Sequence, residues 1–184
     1  MAGFRPTQDG VTARFSKPEA AIIRELISQV ADLIADGMAA PEADELAAMV
    51  GMSENTSPGS AAVPDDPILA RLLPDGYSDD PEAAQEFRRF TESSLRSAKV
   101  EAAQTVLATL PNGGGRIRLS SEQAEAWLRS LNDVRLALGV RLGVTEESDV
   151  LNEDVQPDDP RYAYVEVYQW LAYLQESLVN ALSR

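Results

Sequence analysis

The sequence predicts a mainly α fold, a bundle of about five to six helices carrying a small antiparallel β-sheet built from an N-terminal hairpin and residues 116–119. Three observations lead there. Apolar residues recur at three- and four-residue steps through most of the chain, the spacing that puts them on one side of a helix. Helix-starting patterns, Ser-x-x-Glu/Gln and Asp-Pro, stand in front of those runs. Only two short stretches near 4–15 and 116–119 have the turn residues and alternation of strands.

The elements follow in order. "FRPTQDGVTARF" (4–15) sets Asp9-Gly10 between two apolar-ended segments, a hairpin turn that needs a third strand to be stable. Ser16 with Glu19 forms a capping box, Pro18 suits a first helical turn, and Ala20, Ile23, Ile27, Val30 and Ile34 make one stripe, with Ile22, Leu26 and Leu33 beside it and Gly37 placed to stop the helix. A short helix is expected at 42–50, and the Ser/Pro/Gly-rich stretch 51–64 reads as a flexible loop.

Asp-Asp-Pro occurs three times, with Asp66-Pro67, Asp80-Pro81 and Asp159-Pro160 each followed by good helix formers. An aspartate there accepts hydrogen bonds from unpaired first-turn amides, and proline at the first helical position loses nothing by lacking an N–H. The pairs read as helix punctuation, with a cation site as the rival, since separate loops would have to converge to chelate.

Asp80 opens the longest element, 81–110, roughly 45 Å if unbroken. Its apolar stripe is Ala83, Phe87, Phe90, Leu95, Ala98, Ala102, Val106 and Leu110, and Thr91, Ser93 and Ser94 leave open whether it is continuous or breaks at 91–94. Asn112 and three glycines end it. Ile117 and Leu119 then share one strand face, with Arg116 and Arg118 on the other. Ser120 and Gln123 cap a helix over 121–142 that is apolar around most of its circumference, as the middle helix of a bundle is. An acidic connection, 143–158, leads to a last helix over 160–182, and residues 1–184 are read as one domain.

Composition narrows the chemistry. The 184 residues include no Cys and no His, which removes disulfides, thiolate nucleophiles, imidazole proton shuttles and zinc sites built on sulfur or imidazole. No Gly-x-Ser-x-Gly or phosphate-loop pattern is present either, and no catalytic residue, cofactor or metal is assigned. The absence of a basic-then-apolar N-terminus and of a long apolar run points to a cytoplasmic protein without membrane contact.

The formal charge of −14 is segregated: residues 36–82 and 142–160 are almost purely acidic, whereas 83–141 is net basic. Arg88, Arg89, Arg96 and Lys99, with Arg116, Arg118 and Arg129, are expected on exposed faces. They form either a plain solvated surface, a contact for an acidic protein or this chain's own acidic loops, or, against the whole-molecule charge, a DNA contact through Arg88, Arg89 and Arg96. Arg135 falls on the apolar stripe of 121–142, so it needs a partner, and Glu101, Glu166 and Glu176 are the carboxylates in range. The alternative there is an anion or small-molecule site centred on Arg135, with Trp127, Asn132 and Arg141 nearby on the same helix.

The motifs "AWLRSL", "LNDVRLALGVRLGVTEE", "DDPEAAQEFRRFTESSLRSAKV", "ARLLPDGY", "YQWLAYLQESLV" and the opening "MAGFRPTQDGVTARF" resemble an actinobacterial family, long a domain of unknown function and now labelled after the oxidative-stress regulator AosR. The likeness spans nearly the whole chain except 37–63. It implies a cytoplasmic regulator of the oxidative-stress transcriptional response that works with the transcription machinery as protein partner, from a gene commonly beside the Clp protease adaptor. The family's redox sensing is attributed to a cysteine pair, which this chain lacks, so no sensing residue carries over. The reading is therefore a non-enzymatic regulatory or protein-interaction module.

Overall fold

The computed structural model describes residues 3–36, 38, 64–76, 80–145 and 155–183. The expected helix at 42–50, nearly all of the loop 51–64, Gly37 and most of the acidic connection lie outside the described residues.

β1 (Arg5–Thr7) and β2 (Gly10–Phe15) form the hairpin, and β3 (Gly115–Leu119) completes an antiparallel sheet in the order β1-β2-β3, with Val11 opposite Leu119 and Ala13 opposite Ile117. The turn depends on Gly10, whose φ of 144° is closed to other residues and where a Cβ would lie 2.0 Å from the Leu119 carbonyl oxygen. Val11, Ala13, Phe15, Ile117 and Leu119 face inward, and Arg14, Arg116 and Arg118 outward, as strand alternation requires.

Five helices occur among the described residues: α1 (Lys17–Ala35), α2 (Pro67–Leu72), α3 (Pro81–Thr109), α4 (Ser121–Leu142) and α5 (Tyr162–Leu182). Both capping boxes form, at Ser16/Glu19 and Ser120/Gln123. Asp66 and Asp80 each accept two first-turn amides ahead of a proline at N1, so two of the three Asp-Pro signals are caps. The third is not. α5 begins at Tyr162 behind Arg161, which makes no side-chain cap, and the Asp159 carboxylate instead accepts from the Arg161 guanidinium and backbone N–H. Those bonds from Arg161, its side chain foremost, hold the Asp159 carboxyl below its ordinary pKa. The physical reason is local: the 157–161 turn, with the Asp159 N–H on the Gln156 carbonyl, leaves Asp159 too early to reach the amides of α5.

α3 runs without a break through 91–94. α4 sits centrally, packed against α1, α2, α3 and α5. At its start Trp127 is fully buried, stacked on Phe15 with ring centroids 5.7 Å apart and edge-on to Phe4, while its Nε1–H donates to Thr109 Oγ1 at 2.8 Å. This cluster fastens sheet to bundle. A second, smaller core of Ile34, Leu72 and Leu73 takes in Leu136 of α4, in keeping with a helix that is apolar around most of its circumference.

Candidate functional site

Helix α3 is inverted relative to its sequence pattern over its first four turns. The stripe expected to be buried contains Phe87, Phe90 and Leu95, yet these are 45%, 76% and 39% exposed. The inward face carries Ala84, Arg88, Glu92 and Arg96 at four-residue steps, the three charged side chains being only 5–6% exposed. From Ala102 onward the expected apolar stripe, with Val106 and Leu110, does face the core.

The inward charges form one ladder. Glu92 accepts from Arg88 Nη1 at 3.0 Å and from Arg96 Nε at 2.9 Å. Arg88 also donates to Asp75 at 2.6 Å and to the Leu73 carbonyl at the end of α2, and Arg96 donates to the Ile34 carbonyl near the end of α1 at 2.7 Å. Burial opposes the charge on Arg88, but the hydrogen bonds and charges of Asp75 and Glu92 outweigh it and raise its pKa further. Arg24 does the same service for α3, donating to the Leu107 and Leu110 carbonyls. Guanidinium groups thus clasp the C-terminal ends of three helices, where carbonyls lack partners and the dipole favours a cation.

The arginines expected to form a surface patch therefore divide. Arg88 and Arg96 are withdrawn from any such surface because helix-end carbonyls and Glu92 consume their donors, which removes the basis for a DNA contact through that trio. Arg89, Arg116, Arg118, Arg129 and Arg141 are exposed. Arg135 is half-buried, as its stripe position implied, but among the described residues its partner is an amide and not a carboxylate: Nη1 donates to Gln175 Oε1 at 2.7 Å and the guanidinium lies 5.8 Å from the centre of the Tyr168 ring. Gln175 in turn donates to Asn132. Glu101, Glu166 and Glu176 are exposed, where hydration competes with a fixed pair. Trp127 is a core residue and not a contact residue.

Beside the outward stripe, α3 and α4 part to leave a groove of about 580 Å³ lined by Leu95, Ala98, Ala102 and Ala126 and by Glu101, Glu122, Arg129 and Asn132. In its floor Lys99 Nζ lies 2.6 Å from Asp133 Oδ1. Burial pushes the Asp133 carboxyl above its ordinary pKa, against the pull of Lys99. Among the described residues no three carboxylates gather as a metal ligand set, and no helix is long and apolar enough to cross a membrane. Asp75, Arg24 and Asp133 went unnoticed in the sequence, and Glu92 was read only as an acid interspersed among the bases, although Arg88-Glu92-Arg96 at i, i+4, i+8 is the spacing of an ionic ladder along one helix face.

The fold and site together define a helical bundle with a small sheet, a buried ionic ladder and partly exposed apolar side chains on α3. The chain belongs to the family described as domain of unknown function DUF2017, whose model matches residues 1–182. It is similar to the oxidative stress regulators AosR of Mycobacterium tuberculosis and Mycobacterium bovis, each 37% identical over 191 aligned residues that cover 96% of this chain and 84% of the relative. No solved structure matches.

Proposed function

We propose that this chain is a non-catalytic regulatory module of the oxidative-stress response that acts by binding a protein partner through the outward face of α3. One observation carries the reading: the apolar side chains Phe87, Phe90 and Leu95 keep 45%, 76% and 39% of their surface exposed while the charged Arg88, Glu92 and Arg96 are buried on the same helix. Exposed aromatics aligned on one helix face are a recurrent mark of a binding surface. The likeness to proteins described as oxidative stress regulators supports the regulatory part of this reading. With no cysteine in the chain, an oxidant signal reaches this member through its partner or its abundance, not through a thiol of its own.

A photo-crosslinking amino acid at Phe90, introduced in the native host, tests this. The expected result is a discrete crosslinked protein that is absent when the same group is placed at the exposed Gln104, together with impaired survival of oxidant in a Phe90→Asp strain. Equal crosslinking from both positions and unaltered survival would overturn the proposal.

A further inference from the structure

We infer that the groove between α3 and α4, extended by the aromatic stripe of α3, is the seat of a basic amphipathic helix of the partner; this rests on the function proposed above and specifies its site. The surface runs from Phe87 to Thr105, about 27 Å along α3, the length of five helical turns. Its shape suits a helix. Phe87, Phe90 and Leu95 offer large apolar groups at one end, while Ala98, Ala102 and Ala126 keep the floor low at the other, where a ridge of large side chains can settle.

Charge selects among occupants. Along this surface Glu86, Glu101 and Glu122 are exposed acids, and the exposed base on the groove wall is Arg129; Lys99 is engaged by Asp133. A second copy is therefore a poor occupant, because antiparallel pairing of two α3 helices brings Glu86 of each near Glu101 and Glu122 of the other and opposes two molecules of the same sign. A nucleic acid is repelled for the same reason. A helix with large apolar residues at three- and four-residue spacing and Lys or Arg on its flanks satisfies both the floor and the rim, and its N-terminal dipole end belongs beside Glu101 and Glu122.

Two synthetic peptides of about 20 residues, sharing one Leu-rich face and differing only in Lys or Glu at the flanking positions, test this by fluorescence anisotropy and amide chemical-shift mapping on the full chain. The Lys peptide is expected to bind at least about tenfold more tightly than the Glu peptide at low salt, with the gap closing as salt is added. Shifts should concentrate on 87–105 and 122–133. Ala98→Trp, an exposed position whose enlargement fills the groove, and Phe90→Asp should each abolish binding while leaving the circular-dichroism spectrum and melting temperature unchanged. Equal binding of both peptides, shifts elsewhere, binding that survives Ala98→Trp, or a dimer in sedimentation that Phe90→Asp dissolves would each overturn the inference. Crosslinking from Phe90 to a partner alongside failure of the Lys peptide would discard the basic-helix assignment and leave the regulatory contact standing.

Discussion

Replacing Glu92 by alanine should be among the most damaging single changes available on α3. Glu92 accepts from two arginines in a space where all three side chains are nearly sealed from water. Its removal leaves Arg88 with Asp75 and the Leu73 carbonyl, and Arg96 with the Ile34 carbonyl, but no counter-charge on Arg96. Losing one member of a buried ion pair costs about 3–5 kcal/mol, chiefly because the abandoned partner stays buried. For a domain of this size that corresponds to roughly a 10 °C fall in melting temperature. Urea unfolding followed by circular dichroism reads the change directly, with the exposed Glu86→Ala as control, expected within about 0.5 kcal/mol of the parent. Equal midpoints for the two variants would refute the assignment of the ladder to the interior.

Further outcomes follow from the same contacts. Arg135→Met should cost only about 1–2 kcal/mol, the sum of a neutral hydrogen bond and a ring contact; a loss as large as that of Glu92→Ala would mean a buried counter-charge is involved. Gly10→Ala should destabilise by more than the roughly 1–3 kcal/mol of the strained φ alone in the same unfolding assay, because its Cβ would also meet the Leu119 carbonyl oxygen and force the β2–β3 pairing to shift. For Asp133, whose native pKa is raised by burial, the folded state takes up a proton before the unfolded chain does. As pH falls from neutral through that raised value towards the ordinary value of about 3.9, the parent should therefore gain stability relative to Asp133→Asn, as read by paired urea titrations. A constant difference across that range would contradict the burial of an ionisable carboxyl there.

Local signals were legible in the sequence wherever a residue acts on its own neighbours. Ser16, Ser120, Asp66 and Asp80 cap the helices they precede, because capping needs only a side chain and amides two or three residues ahead. The sheet was legible because Asp9-Gly10 and the Ile117/Leu119 alternation state turn and inner face directly. Asp159 shows the limit of the same rule: a turn of two further residues before α5 moved the first-turn amides out of its reach. The candidate surface was not legible. Periodicity says that one face of α3 is apolar and another charged, but not which is turned inward, since that depends on what the neighbours present. Here they present the ends of α1 and α2 with their unpaired carbonyls, together with Asp75, none of which is encoded within α3.

The ladder and the exposed stripe are two consequences of one choice of helix rotation. Turning the first half of α3 to bury Phe87, Phe90 and Leu95 would gain roughly 1.5–3 kcal/mol for each side chain fully removed from water. It would also strip the Ile34 and Leu73 carbonyls of their donors and expose a ladder already desolvated in place, at about 1–3 kcal/mol for each buried group left unpaired. These terms are of similar size, so apolar burial alone does not fix the rotation; the directional bonds of Arg88 and Arg96 to particular carbonyls do. Apolar contacts are satisfied by many rotations of a helix, a guanidinium on a helix end by few. A continuous helix clasped at Arg88 and Arg96, and again through Arg24 at its far end, holds the Phe90 face in one orientation before any partner arrives. Such preorganisation lowers the cost of docking, and it lets a face whose apolar residues would otherwise turn inward serve as a binding surface.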